Sequence, residues 1–231
     1  MDSNCSGDPK TPARSGGFED AAVPWGGLAA LDDEGLLALY LRRRLSPTAA
    51  RRVAADLLRR FDGVCRLAAA DTSELERIKD LDPAGVQDLR LLWAMSVRLS
   101  RAAASHRPAL SSWTAVVAYA RTALAGLPRE QFRTLYLDRR NFLIRDEFVA
   151  EGSVDHAPVY PREIIRRGLE LSASALILVH NHPSGDPTPS RADIEMTRRI
   201  VEAAKVFDLQ VHDHIVVGRG GTASFRTLGL L

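Results

Sequence analysis

The stretch that decides the fold is Ala175-Leu176-Ile177-Leu178-Val179-His180-Asn181-His182-Pro183-Ser184-Gly185, continued by Pro189-Ser190-Arg191-Ala192-Asp193. An apolar run of strand-forming residues ends at two histidines in alternation, followed by a Pro/Gly loop and a helix start that carries a carboxylate. Successive side chains of a strand point to opposite faces, so His180 and His182 share a face and can offer imidazole nitrogens to one ion. Asn181 points the other way. The loop 183–189 turns the chain back, so that Asp193, in the first turn of the next helix, can supply a carboxylate oxygen as third ligand. Zinc accepts this mixed set, and three protein ligands leave a fourth position for water, as in a catalytic rather than a structural site.

Around this stretch the chain reads as one large or two modest domains. Its 231 residues, 45% hydrophobic and 26% charged, suffice for a soluble core. A net charge of +2 gives no overall case for a nucleic-acid binder, although arginines cluster locally. Two cysteines, Cys5 and Cys65, cannot build a disulfide framework, which fits a reducing cytoplasm. The amino terminus lacks the apolar core of a secretory signal, and no apolar stretch reaches the ~20 residues needed to span a bilayer. A cytoplasmic protein with no membrane contact is expected.

Residues 1–28, rich in Gly, Pro and Ser without periodicity, read as a disordered tail. A helical segment follows over 29–104. Asp32 or Asp33 caps its first helix, and Ser46-Pro47 opens a second with Ala50, Val53, Ala54, Leu57, Leu58 and Phe61 on one face. A short helix over 72–78 and a linker over 79–85 lead into a long apolar helix over 86–104. Arg42, Arg43, Arg44, Arg51, Arg52, Arg59 and Arg60 read as a solvated helical face rather than a phosphate-binding surface. His106-Arg107-Pro108 breaks the pattern, and a second domain is expected over 108–231. There a helix from Ser111 or Ser112 precedes strands over 131–137 and 142–149, joined by the hairpin residues Asp138-Arg139-Arg140-Asn141. A helix from Pro161, the apolar strand, a helix over 190–206 and strands over 210–217 and 222–225 complete it. Strands and helices mixed without strict alternation argue for an α+β fold, a mixed sheet flanked by helices.

The pattern His180-x-His182 followed by Ser190-x-x-Asp193 resembles the JAMM (MPN-plus) metallohydrolase signature, and its wording is most similar to the bacterial RadC-like branch. The likeness continues through Gly152-Ser153, Val159-Tyr160-Pro161-Arg162-Glu163, Asp213-His214-Ile215, Ser224-Phe225-Arg226 and Gly229-Leu230-Leu231, which is roughly the C-terminal half. It implies a JAMM/MPN (cytidine-deaminase-like) domain with one zinc ion per chain, held by His180, His182 and Asp193. It implies further that Glu130, at the start of the first strand, is the base, that Ser190 steadies an oxyanion, and that a peptide or isopeptide bond is hydrolysed. Glu163 is the competing carboxylate, expected on an exposed helix face. Upstream the resemblance implies a helix-hairpin-helix, whose hairpin glycines admit a DNA phosphate. Asp80 and Asp82 stand there instead, each with a side chain in the approach path and a charge that repels phosphate, which opposes direct DNA binding. The partner implied is a protein or peptide substrate, with homo-oligomerisation left open. The family's customary description as a DNA repair protein keeps one alternative, an accessory protein whose metal domain is a binding platform. A metal-dependent phosphodiesterase or nuclease with two ions is the other.

Simpler readings compete at several positions. Ser190-Arg191-Ala192-Asp193 satisfies a capping box, which needs no metal but does not explain the histidine pair before it. His212 and His214 repeat the i, i+2 spacing and could form a second metal pair or, with Asp213, half of a dinuclear site. Because the family takes no ligand from this segment, they are expected to support or pack, with Asp213 the candidate for orienting a ligand histidine. His106 and His156 are expected to be structural.

Overall fold

The computed structural model describes residues 25–109, 111–152 and 159–231. Most of the expected tail, together with Ser153 and His156, lies outside the described residues. Trp25–Leu28, at the end of that stretch, forms a helical turn (α1), and Leu31 N–H closes it by donating to Leu28 O at 3.2 Å.

The helical segment begins with α2 (Asp33–Leu41), capped by Asp32, whose carboxylate accepts from Gly35 N–H at 2.7 Å. Ser46 caps α3 (Pro47–Phe61), which carries proline in its first turn. Two left-handed residues, Asp62 and Gly63, then let the chain start again as α4 (Val64–Ala69), a helix the sequence pattern did not separate. After α5 (Thr72–Leu75) comes α6 (Pro83–Ser105), three residues longer at its start than expected. Asp82 caps it by accepting from Gly85 N–H, so Pro83, Ala84 and Gly85 form its first turn rather than a linker. Leu41, Leu57, Leu67, Leu75 and Val86 close one core.

The two aspartates between α5 and α6 are engaged by the arginines beneath them. Asp80, with φ of 71°, holds the left-handed conformation that glycine adopts most easily, and its carboxylate takes Arg52 at 2.5 Å. Asp82 takes Arg44 at 3.3 Å. Each of the two carboxylates thus pairs with an arginine of the helical segment. The full chain should give no salt-sensitive DNA gel shift at low micromolar concentration and physiological salt; such a shift would overturn this reading of the hairpin.

The second half is built on a five-stranded sheet. After α7 (Trp113–Leu124) run β1 (Glu130–Leu137), β2 (Leu143–Gly152), α8 (Pro161–Glu170), β3 (Ala175–Asn181), α9 (Arg191–Lys205), β4 (Gln210–Gly218) and β5 (Gly221–Ser224). The strand order is β2-β1-β3-β4-β5, with β3 in the middle. It is antiparallel to β1 and parallel to β4, and α9 supplies the crossover that a parallel pair requires. This is the mixed sheet with flanking helices that the sequence led one to expect.

Both faces of β3 are covered, which is why it reads as an unbroken apolar run. Ile177 and Val179 pack with Val116 and Leu124 of α7 on one face. Leu176 and Leu178 pack with Ile164 of α8 and Ile200 of α9 on the other. The end of α6 joins the first of these cores through Ala104.

A buried ionic knot ties α7 to the outer strands. Arg133 of β1 donates twice to Asp146 of β2, at 2.9 and 3.0 Å, and the Tyr119 hydroxyl of α7 donates to the same carboxylate. Burial, reinforced by that carboxylate, pushes the Tyr119 phenol above its ordinary value. An Asp146→Ala variant would leave the three-quarters buried Arg133 without its counter-ion. The expected loss is about 3 kcal/mol, read from the urea unfolding midpoint.

Candidate metal centre

The site lies where β3 runs out. His180 and His182 follow Leu178 on the face covered by α8 and α9, and α9 returns Asp193 to them. The Nε2 atoms of the two imidazoles are 2.9 Å apart, and Asp193 reaches His180 with Oδ1 and His182 with Oδ2, each at 3.3 Å. His180 is fully buried, Asp193 nearly so, and His182 stands at the rim with 16% of its side chain exposed. Among the described residues this is the single cluster of His, Cys, Asp or Glu that could hold a metal.

The loop between the histidines and α9 is anchored to the next strand. His182 N–H donates to Val217 O and Gly185 N–H to His182 O, both at 2.9 Å. Gly185 takes φ of 97°, which a side chain would strain. Opposite it, a Cβ on Gly218 would fall 2.3 Å from Gly185 O, so this close approach requires glycine at 218. Arg219 reaches across from β4 to Ser184 O at 2.9 Å and to Asp62 of the helical segment at 2.5 Å, clamping the loop to both halves of the chain.

The remaining groups fix which atoms face inward. His182 Nδ1 lies 2.8 Å from Asp186 O, and since a carbonyl only accepts, that nitrogen carries a proton and, in the neutral ring, leaves Nε2 as a lone pair. Asp193 takes part in a capping box: Ser190 N–H donates to its Oδ2 at 2.7 Å, and Asp193 N–H donates to Ser190 Oγ at 3.1 Å. The cap and the ligand position are therefore the same carboxylate, and the two readings of this pattern coexist. Burial works against the charge on Asp193, but His180 and His182, when protonated at Nε2, donate to it and hold its carboxyl far below the usual range. Asp193 in turn raises His182 above its ordinary value, with a smaller push from the charge of Glu130. Two imidazole nitrogens and an anionic oxygen converging within hydrogen-bond range must share either protons or a cation, and this donor set fits a metal ion.

Glu130 opens β1, two residues before Phe132, which pairs with His180 in the β1–β3 register and stacks on its ring. Strand alternation gives Glu130 the same face as Phe132. Asn181, between the two histidines and facing the opposite side, braces this strand start. Its Oδ1 accepts from Gln131 N–H at 2.8 Å, and its Nδ2 donates to Arg129 O at 3.1 Å, one bond on each side of Glu130. Sequence reading recorded only that Asn181 points away. A polar residue at the end of an apolar strand was the available signal. Glu163 is half-exposed on α8 and paired with Arg166 and Arg162, as its surface reading expected.

The β4 segment requires a correction. Asp213 does not touch a ligand histidine. It accepts from the N–H groups of His214 and Arg226 and from the Ser224 hydroxyl, and so pins the chain after β5. The group on the ligand is His214, whose Nε2 lies 2.8 Å from His180 Nδ1. His212 is not its metal partner. An irregularity in the β3–β4 register passes over His212, which instead meets Asn141 Oδ1 at 2.6 Å.

A mixed sheet whose middle strand ends in a His-His-Asp cluster defines a JAB-type domain with a candidate metal centre. The model of the RadC-like JAB domain matches residues 110–230. The chain is 50% identical over 206 residues to a UPF0758 protein of Rhodobacter capsulatus, covering 89% of this chain and 96% of that protein. It is 48% identical over 206 residues to a UPF0758 protein of Ruegeria pomeroyi, covering 89% and 92%. The chain belongs to the RadC-like JAB domain family. Among the described residues no helix is long and apolar enough to cross a membrane.

Proposed function

We propose that the chain is a zinc-dependent hydrolase of amide bonds, a peptide or an isopeptide, with one ion per chain. The observation that carries this reading is the convergence of His180 Nε2, His182 Nε2 and the Asp193 carboxylate, with the outer nitrogen of each ring engaged elsewhere. Two imidazoles and one carboxylate suit zinc, and three protein ligands leave a place for solvent. The chemistry such an ion supplies is Lewis acidity, which lowers the pKa of water toward ~7 and polarises a carbonyl.

The protein groups supply what remains. Glu130, on the face shared with His180, takes a proton from the attacking water and passes it to the leaving amine. Ser190 uses its oxygen to accept from Asp193 N–H, which leaves its own hydroxyl proton to donate to a developing oxyanion. The separation of His212 from His214 supports a single-ion site over the two-ion phosphodiesterase. The test is zinc counted per chain in the purified protein, joined to proteolysis profiling of the parent against Glu130→Gln. One ion and Glu130-dependent cleavage support the amide reading; two ions support the phosphodiesterase.

A further inference from the structure

The hydrogen bonds behind His180 form a chain whose protons can be counted. Thr197 Oγ1 lies 2.6 Å from Asp193 O and 2.6 Å from His214 Nδ1. A carbonyl has no proton to give, so the one hydroxyl proton of Thr197 goes to Asp193 O. The second contact then needs a proton on His214 Nδ1. A neutral imidazole has a single N–H, which leaves His214 Nε2 as a lone pair facing His180 Nδ1. That contact in turn needs the proton on His180 Nδ1. His180 Nε2 is thereby left as a lone pair aimed at His182 and Asp193.

The rings in this chain have little room to turn over. His214 is fully buried, stacked on Phe225 with centroids 4.5 Å apart and set edge-on to Phe132 at 5.5 Å. Thr197 is also buried, one helical turn after Asp193. The chain starts at one ligand residue and ends on the backbone of another.

We propose that Thr197 and His214 are positioning residues that keep a proton on His180 Nδ1, so that Nε2 is the nitrogen turned toward the ion. The inference rests on the metal reading of the site, but its test can be separated from that reading.

Long-range proton–nitrogen spectra of metal-free, 15N-histidine-labelled protein should show His180 and His214 both protonated at Nδ1. Thr197→Val keeps the shape of the side chain and removes the acceptor of His214. It should redistribute the His214 tautomer and weaken zinc, measured by chelator competition, about 10- to 100-fold. Thr197→Ser restores the hydroxyl and should return both readouts to the parent values, which a merely structural role of the methyl group would not do. The relay is overturned if His180 Nδ1 in the metal-free parent carries no proton, or if Thr197→Val keeps the parent tautomers and zinc affinity. Should Thr197→Val fail to fold, the parent spectrum and Thr197→Ser decide the matter. A parent with the expected tautomers that binds no zinc upholds the relay and sinks the metal reading instead.

Discussion

His182→Ala is expected to take the protein from one bound zinc ion per chain to none, measured by metal analysis after dialysis against trace zinc. In the proposed site His182 supplies one of three ligand atoms, and the two left behind, on His180 and Asp193, do not form a zinc site of ordinary coordination. Because its side chain stands at the rim, its removal opens no cavity in the sheet cores, and the variant should fold. A second readout avoids the dialysis step. Zinc at a hundredfold excess over its dissociation constant should stabilise the parent by about 2.7 kcal/mol through mass action and leave His182→Ala unmoved. An alanine variant that keeps one equivalent of zinc, or the zinc-dependent rise in melting temperature, would mean that the ion sits elsewhere.

The convergence of His180, His182 and Asp193 was legible in the sequence because each part of it follows from a local rule. Strand alternation gives His180 and His182 a common face, the loop ending at Pro189 reverses the chain, and the capping pattern puts Asp193 in the first turn of α9. The strand itself was legible because burial on both sides demands apolar residues at every position from Ala175 to Val179. What failed depended on contacts distant in sequence. That His214 and not His212 is the one to support a ligand was not legible, because a register irregularity between β3 and β4 divides the two. Asp213 looked like the acid behind a ligand histidine, but the chain after β5 folds back and claims it. Thr197 gave no sign beyond its position four residues after Asp193. The restart at Asp62 and Gly63 was missed because α4 is only six residues long and carries too little periodicity of its own.

Glu130→Gln is expected to separate binding from chemistry. Glutamine keeps the size and the hydrogen-bonding oxygen of glutamate but cannot take a proton, and Glu130 is not in the ligand set. Zinc content should therefore remain at one per chain, whereas cleavage of any peptide found by profiling the parent should fall about 10²- to 10⁴-fold, the usual worth of a general base. The fall should appear in kcat with KM little changed, since the lost interaction arises as the proton moves. Backbone contacts flank residue 130 on both sides. Asn181 holds the backbone at 129 and 131, and Glu130 pairs with Gly152 in the β1–β2 register, so the strand start should survive the substitution. Cleavage at the parent rate by Glu130→Gln would place the base on another residue. Loss of zinc along with cleavage would instead make Glu130 part of the metal's own surroundings, and the separation of roles between β1 and β3 would have to be given up.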